Sequence, residues 1–399
     1  MLMKRGNKFR LYPNDDQKSI IENHVGACRF IYNYSLGIKS LMYDRFKINV
    51  SNKQLDEHLK VLKHTRYPWL KEVNSQSLQQ ANRNLMNGFK NFFEGNGKYP
   101  TFKSKRDSVQ SFQVTQRYKI NLTTSQVWLP NIGWMKFKMH RQLFDQEFMN
   151  QWIETSVNDN DEVILEKKYN KDFLRTVTVS RTSTGKYYIS ILSDDCITKP
   201  DKMEFNDTST VGVDLGIKDF AILSNGKRIK NPKHLRDSIK RLKTLQRRVS
   251  RKPKGSRNRK KAVLKLAKLH EKVTNQRNDF QHKITNQLIS ESQAIAIEDL
   301  NVKGMVKNHC LAQAISDVAW GNFVRKLEYK AIWYGKTILK ISRFEPSSKL
   351  CHVCGYKNKD LTLDIREWEC PICNTLHDRD INAAINVKQI ALSTVGTTG

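Results

Sequence analysis

Apolar positions recur at helical spacing up to about Phe93 and at strand spacing after Gly95-Asn96-Gly97, so the N-terminal half divides into a helical block and a β-rich block. Residues 1–12 read as an edge strand. Pro13-Asn14-Asp15-Asp16 then supplies a turn and a helix N-cap before Ile20, Ile21, His24, Ala27, Cys28 and Ile31 fall on one helical face. The helical pattern continues with Trp69, Leu70, Val73, Leu78, Ala81, Leu85, Phe89, Phe92 and Phe93 marking buried faces, and Pro68 suits a first helical turn. From about 108 to 195, short alternating runs are separated by polar turns: Phe112-Gln113-Val114, Val127-Trp128-Leu129, Met135–Met139, Val177-Thr178-Val179 and Tyr187–Ile191. This predicts a small antiparallel sheet or barrel with the helices 14–93 inserted into it. The polar stretch 194–209 marks the next boundary.

The second half has a different order. Val211–Ile217 and Phe220–Leu223 read as strands, and Asn225-Gly226 as a hairpin turn before Arg228-Ile229. Two basic helices follow, about 233–249 and 257–291, split by the turn 252–256. Then come a short buried strand, Ala294–Ile297, a helix over 315–334 with Val318, Phe323, Leu327 and Ile332 inward, and a strand, Thr337–Ile341. Three hairpin-connected strands followed by alternating helices and strands is the order of an RNase H-like α/β domain. No internal repeat is visible.

Charge decides the class of partner. The 399 residues carry 70 Lys+Arg against 39 Asp+Glu, a net of +31. A small DNA-reading domain works with about 6 to 10 phosphate contacts. The surplus here is larger and is spread over 98–106, 136–141, 227–283 and 325–343, which implies several nucleic-acid-facing surfaces. A membrane partner is disfavoured. No run of about eighteen apolar residues occurs, no apolar region follows the first basic residues, and no helix sets Trp, Phe and Leu opposite Lys and Arg. A soluble, intracellular protein is expected.

Four of the seven cysteines crowd into two pairs, Cys351-x-x-Cys354 and Cys370-x-x-Cys373, with fifteen residues between the pairs. Each pair presents two sulfurs from one tight turn, and Gly355 follows the first. This is the spacing of a structural four-thiolate zinc site. His352 and His377 lie close by but are not needed as ligands. Cys28, Cys196 and Cys310 are isolated and read as ordinary thiols.

Acidic residues suggest chemistry. In Val211–Ile217, alternation sends Val211, Val213 and Leu215 to one face and Asp214 to the other, between Gly212 and Gly216, which leave room for a metal and a phosphate. Ala294–Leu300 ends in Glu298 and Asp299, which point to opposite sides, so only one can serve. A third acidic site lies in His377-Asp378-Arg379-Asp380-Ile381-Asn382, where a helix begins and Ala383 and Ala384 let it pack close. Hard Mg²⁺ ions take carboxylate oxygens, and two such ions can clamp the attacking water and leaving oxygen of a phosphodiester. In so basic a chain, acids at the ends of buried strands point to metal-dependent cleavage of nucleic acid.

At these residues the sequence resembles the TnpB (OrfB) family of insertion-sequence proteins, relatives of the type V CRISPR effector nucleases. The matching pieces are RLYP-x3-Q at 10–17, GACRFIYN at 26–33, FKSKR at 102–106, GVDLGIKDFA at 212–221, IEDLNVKGM at 297–305, and SSKLCHVCG through CPICNTLHDRDINAAINV at 347–387. The resemblance implies an RNA-guided DNA endonuclease with a split β-barrel wedge domain carrying an inserted helical recognition domain, and an RNase H-like RuvC domain interrupted by a zinc ribbon. The implied division is 1–13 wedge strand, 14–95 recognition helices, 96–200 wedge barrel, 208–346 RuvC, 347–376 ribbon, 377–392 last RuvC helix and 393–399 flexible tail. Carried over by motif, the catalytic, magnesium-holding acids are Asp214, Glu298 rather than Asp299, and Asp380, while Cys351, Cys354, Cys370 and Cys373 hold zinc.

The implied partners are a guide RNA from the transposon end, target double-stranded DNA next to a short adjacent motif, and their heteroduplex, inside a prokaryotic cytoplasm near the nucleoid. Gln76, Gln79 and Gln80 on one helix are candidates for reading adenine edges. Lys103, Lys105, Arg106 and Lys218 are candidates for phosphate, and the helices from Lys240 to Lys272 for lining the channel. The alternatives are a catalytically silent RNA-guided repressor, a transposition accessory factor that binds element ends, and an unguided zinc-ribbon resolvase. All three acids being present argues against the first, and the large N-terminal half against the last.

Overall fold

The computed structural model describes residues 2–144, 156–157, 163–167, 173–198, 200–362 and 364–396. They fall into two units, Met1–Thr198 and Lys199–Gly399.

In the first unit β1 (Leu2–Tyr12) leads into α1 (Asp15–Phe46), α2 (Asn52–His64), a 3-10 turn at Pro68–Glu72 and α3 (Ser75–Phe93). Asn14 caps α1 reciprocally: its Oδ1 accepts from the Gln17 N–H at 2.8 Å and its own N–H donates to Gln17 Oε1 at 3.0 Å. The remaining strands are β2 (Val109–Val114), β3 (Tyr118–Asn121), β4 (Gln126–Leu129), β5 (Gly133–Lys138), β6 (Ser156–Val157), β7 (Val163–Lys167), β8 (Leu174–Thr182) and β9 (Tyr187–Thr198). They form one antiparallel sheet in the order β2-β8-β9-β1-β5-β4-β3-β7-β6.

β1 is therefore interior to the sheet, paired with β9 and β5, and not the expected edge strand. Alternation could not distinguish the two, because an antiparallel sheet with one wet face gives the same in-out pattern at its centre and at its rim. Phe9 and Leu11 of β1 join Phe112, Val127, Val177 and Ile189 of the sheet and Ile21, Ile31, Leu78 and Leu85 of the helices in one continuous core. Trp69 and Phe93, expected inside, are 41% and 77% exposed. Phe93 lies in the last turn of α3, where it stacks on Phe89 and Phe92 and not on the sheet. The side chain of Cys196 lies outside the described residues. Cys28 is buried, and burial pushes its thiol up to about 12.

The second unit carries the sheet β12-β11-β10-β13-β14, built from β10 (Thr210–Asp214), β11 (Asp219–Leu223), β12 (Arg228–Lys230), β13 (Ala294–Glu298) and β14 (Thr337–Ile341). β10, β11 and β12 pair antiparallel, while β10, β13 and β14 run parallel. The crossover from β12 to β13 holds α4 (His234–Ser250) and α5 (Arg257–Glu291), and that from β13 to β14 holds α6 (Ala312–Val318) and α7 (Trp320–Trp333). The single helix expected over 315–334 is two helices, broken at Ala319, whose φ of 54° is left-handed. The break exposes the carbonyls of Val318 and Ala319, and the buried Gln281 of α5 donates to both, at 2.9 and 3.2 Å. Ile332 is half exposed and does not point inward. Lys326 and Lys330 of α7 are buried against neutral acceptors of α5, Lys330 donating to Thr285 and Asn286 at 2.6 Å, and burial lowers Lys330 to about 8.

The two faces of this sheet differ. Val211, Val213, Ile295 and Ile297 pack with Leu288, Phe323 and Leu327 on the α5 and α7 side. By alternation Gly212 and Ala296 look the other way, and there α8 (Arg379–Gly396) lies, with Val387 and Ala391 against Ala296. A Cβ on Gly212 would come within 2.0 Å of the Ala384 carbonyl oxygen and 2.8 Å of Lys388 Cβ. Gly212 thus serves the seat of α8, not the access of a metal. The helix continues through Gly396, past the expected start of a tail at 393, and 397–399 lie outside the described residues.

Gly212→Ala should cost about 3 kcal/mol or more, because both contacting groups belong to a packed helix. Gly26→Ala in α1, where nothing lies within 4 Å of the new Cβ, should be neutral or stabilising by about 1 kcal/mol. Circular-dichroism melts of both variants test the pair.

Candidate active site

Residues on the α8 side of the sheet reach its C-terminal rim as acids. Val213 pairs with Ile297 on the neighbouring parallel strand, so Asp214 and Glu298, each the next residue, end β10 and β13 side by side. They share the face of Gly212 and Ala296 and meet the N-terminal turn of α8, which begins at Arg379-Asp380. Asp378 caps that helix, its Oδ1 accepting from the N–H of Asp380 at 3.1 Å and of Ile381 at 3.0 Å. Arg228 of β12 holds the other carboxylate oxygen of Asp378.

The electrostatics of this rim are those of crowded negative charge. Asp214 is pushed up to about 7, first by burial and then by the charges of Glu298 and Asp380, with Arg379 and Arg366 opposing. Asp380 is clamped by Arg366 at 3.0 and 3.1 Å, and Arg379 lies 3.5 Å away. Glu298 Oε1 accepts from the Ser347 hydroxyl at 2.5 Å. Three carboxylates of which one resists ionisation suit a hard divalent cation, which would relieve the repulsion that raises Asp214. Asp299 turns away, as alternation requires, to pair with Arg343 at 2.9 Å. The sequence reading missed Arg366, Arg379 and Ser347. Arg379 and Ser347 stand inside the matching motifs themselves, whereas Arg366 has no sequence signal beyond nearness to the cysteines.

The four cysteines come together with all four sulfurs within 4.8 Å of one another. Cys351 and Cys373 are 3.6 Å apart, and Cys354 and Cys370 3.5 Å. Tetrahedral zinc with about 2.3 Å bonds wants sulfurs about 3.8 Å apart, so the donor set and spacing fit it. Hydrogen bonding from Thr375 lowers Cys373 to about 6, favouring the thiolate that a metal binds. His377 stays outside the set. Its Nε2 lies 3.1 Å from Cys351 Sγ, and burial, then the neighbouring His352, lowers its pKa and favours the neutral ring. The paired strands β15 (Glu367–Glu369) and β16 (Leu376–Asp378) hold the second cysteine pair and run straight into α8.

Apart from Lys218, four residues beyond Asp214, the nucleic-acid candidates lie far from the acids in the chain. Gln76 donates to Gln116 at 3.1 Å and Gln80 to Asn84 at 3.3 Å, so both join an amide network between α3 and β2; Gln79 is half-buried beside them. Lys103 lies over the Tyr32 ring at 3.9 Å, while Lys105 and Arg106 are exposed. Lys218 is exposed in the turn after β10. Between α4 and α5, Arg248, Arg251, Lys252, Lys261 and Lys265 line a basic cleft. No described helix is long and apolar enough to cross a membrane.

Two outcomes follow from this geometry. Cys370→Ser with Cys373→Ser should abolish zinc binding, read as about one zinc per chain lost by elemental analysis. Asp214 with its raised pKa stabilises the cation-free protein below the ordinary carboxylate range and loses that contribution as pH rises through about 7. Asp214→Asn should therefore raise the melting temperature at pH 8 in Mg²⁺-free, zinc-replete buffer, by progressively less as the pH falls from 7, and leave it nearly unchanged only below the ordinary carboxylate range.

Residues 196–309 match the family model described as "Probable transposase", 320–387 one described as "Cas12f1-like, TNB domain", and 1–47 one described as "Helix-turn-helix domain". Over the last range the structure has one strand and the single long helix α1. A "Putative RNA-guided DNA endonuclease" of Streptomyces pristinaespiralis is 37% identical over 392 residues, covering 98% of this chain and 90% of its own. "Putative RNA-guided DNA endonuclease InsQ" of Escherichia coli K12 is 30% identical, covering 95% and 90%. The fold is similar to Cas12f1 as solved in a Cas12f1-sgRNA-target DNA complex, with a TM-score of 0.54 at 15% identity over 97% of this chain and 99% of that one. With such identity sustained along nearly the whole length of both proteins, the chain belongs to the TnpB (OrfB) family.

Proposed function

We propose that this protein is an RNA-guided DNA endonuclease of an insertion-sequence element, which pairs a guide RNA from the element's end with target DNA beside a short adjacent motif and cuts at the Asp214, Glu298 and Asp380 site. The observation that carries the reading is the meeting of these acids at one sheet rim, with Asp214 pushed up to about 7 by burial and then by the other two. In a chain of net charge +31, a concentration of negative charge is otherwise unfavourable for a protein that holds polyanions. The likeness to named RNA-guided endonucleases of bacteria supports the same reading.

In this reading residues 208–392 form the RuvC nuclease with the ribbon inserted, and 1–13 with 96–200 form the wedge around the recognition helices of 14–95. Asp214, Glu298 and Asp380 would hold two Mg²⁺ ions, which supply a Lewis-acid clamp on the attacking water and the leaving oxygen. Arg366 and Arg379, now turned to Asp380, stand where a scissile phosphate would offer them a competing anion. Zinc would shape the ribbon and leave no open position for chemistry. Gln76, Gln79 and Gln80 would contact DNA edges, and Lys103, Lys105, Arg106, Lys218 and the α4–α5 cleft would contact phosphates.

Copurifying RNA should be discrete and match DNA flanking the element that encodes the protein; random host fragments would favour an unguided factor. In the guide-loaded complex, Ala at Asp214, Glu298 or Asp380 should reduce Mg²⁺-dependent cleavage about 10²- to 10³-fold or more and leave target binding intact. Asp299→Ala, on the opposite face, should keep substantial activity. A wild-type complex that binds a matched target and never cuts would replace the nuclease reading with that of a repressor.

A further inference from the structure

Ser347 is 4% exposed, and its hydroxyl is spent on Glu298 Oε1, 2.5 Å away. The serine lies between β14 and the first zinc cysteine, where 342–350 has no regular structure of its own to fix a side chain. Its position is set from elsewhere. Asn386 of α8 donates to the Ser347 carbonyl at 2.8 Å and to the Leu350 carbonyl at 2.7 Å. Asn382, one turn earlier, donates to Leu350 O at 2.6 Å and accepts from the His352 N–H at 3.1 Å and from its ring Nδ1 at 2.9 Å. Both asparagines are buried, so these bonds are costly to lose. The chain of contacts runs from residues flanking Cys351, through two amides on the helix that carries Asp380, to the carboxylate that ends β13.

We propose that Ser347 is a positioning residue for Glu298, and that Asn386 and Asn382 set its place from α8. A glutamate at a strand end has three free torsions, and fixing Oε1 leaves Oε2 as the oxygen presented to a cation beside Asp214. The serine touches no substrate in this scheme; it acts through the orientation of the carboxylate. This inference rests on the reading of Glu298 as a metal ligand given above.

The test uses the guide-loaded complex with Mn²⁺ as the probe, and measures Mn²⁺ binding by the paramagnetic resonance of the unbound ion together with the Mn²⁺ midpoint for cleavage. Ser347→Ala should raise both midpoints about 10-fold, with zinc content and target binding unchanged. Ser347→Thr, which keeps the hydroxyl, should stay close to wild type. If Ser347→Ala fails to fold, Thr and Val at 347 are isosteric and differ in the hydroxyl alone: a Val variant with the Mn²⁺ affinity of the Thr variant overturns the proposal. Wild-type Mn²⁺ affinity in Ser347→Ala beside a defective Glu298→Ala overturns the serine assignment and leaves the metal reading standing. Undiminished Mn²⁺ binding in Glu298→Ala overturns both.

Discussion

The backbone of α8 rests directly on β10, where Gly212 presents no side chain to the carbonyl oxygen of Ala384. Because residues alternate across a strand, the face that admits the helix at Gly212 and Ala296 is the face on which Asp214 and Glu298 end their strands. The helix starts at the same rim, so the depth of its seat sets how near Asp380 comes to the other two acids. A larger residue at 212 would displace a whole turn of α8, and with it Asn382 and Asn386, which hold the segment leading to the first zinc cysteine. One missing side chain thus fixes the spacing of elements far apart in sequence.

Charge is arranged against the local trend. The surface is strongly basic, which favours long polyanions, while at the rim burial, and after it the charges of Glu298 and Asp380, moves Asp214 to about 7. Without a cation the repulsion is partly met by Arg366 from the ribbon and Arg379 from α8 itself. The positive end of the α8 dipole also lies beside Asp380. Such a site is held together by the packing around it and not by its own interactions, which is the usual cost of concentrating like charge for binding.

Much of this was legible in the sequence, for identifiable reasons. The cysteine pairs announce themselves because a tetrahedral thiolate site needs two tight turns, and spacing alone encodes them. Asp214 was legible because it ends a strongly apolar run whose alternation assigns faces, whereas the same alternation left Glu298 and Asp299 open and the family resemblance chose between them. What alternation could not supply was neighbourhood: β1 reads as an edge strand until β9, almost two hundred residues later, is seen beside it. The break at Ala319 was illegible because alanine is a good helix former, and contacts such as the one with the distant Gln281 help offset the cost of its left-handed backbone. Gly212 was noticed for the wrong purpose, since a strand glycine shows that something approaches closely without showing what.

The ribbon links these strands of argument. Its own apolar core is little more than Leu361, Trp368 and two of the cysteines, so closing the four sulfurs around an ion would add to its order, as docking against α8 does. Yet Arg366, which clamps Asp380, and the backbone around Leu350 and His352, which the two asparagines grip, both belong to that ribbon and its approach. Hydrogen bonds of known partners thus connect the surroundings of the sulfur cluster to the acidic rim, through a helix seated at Gly212. A four-thiolate site that closed completely around an ion would do no chemistry of its own, yet through these contacts it would bear on where the charges beside it stand.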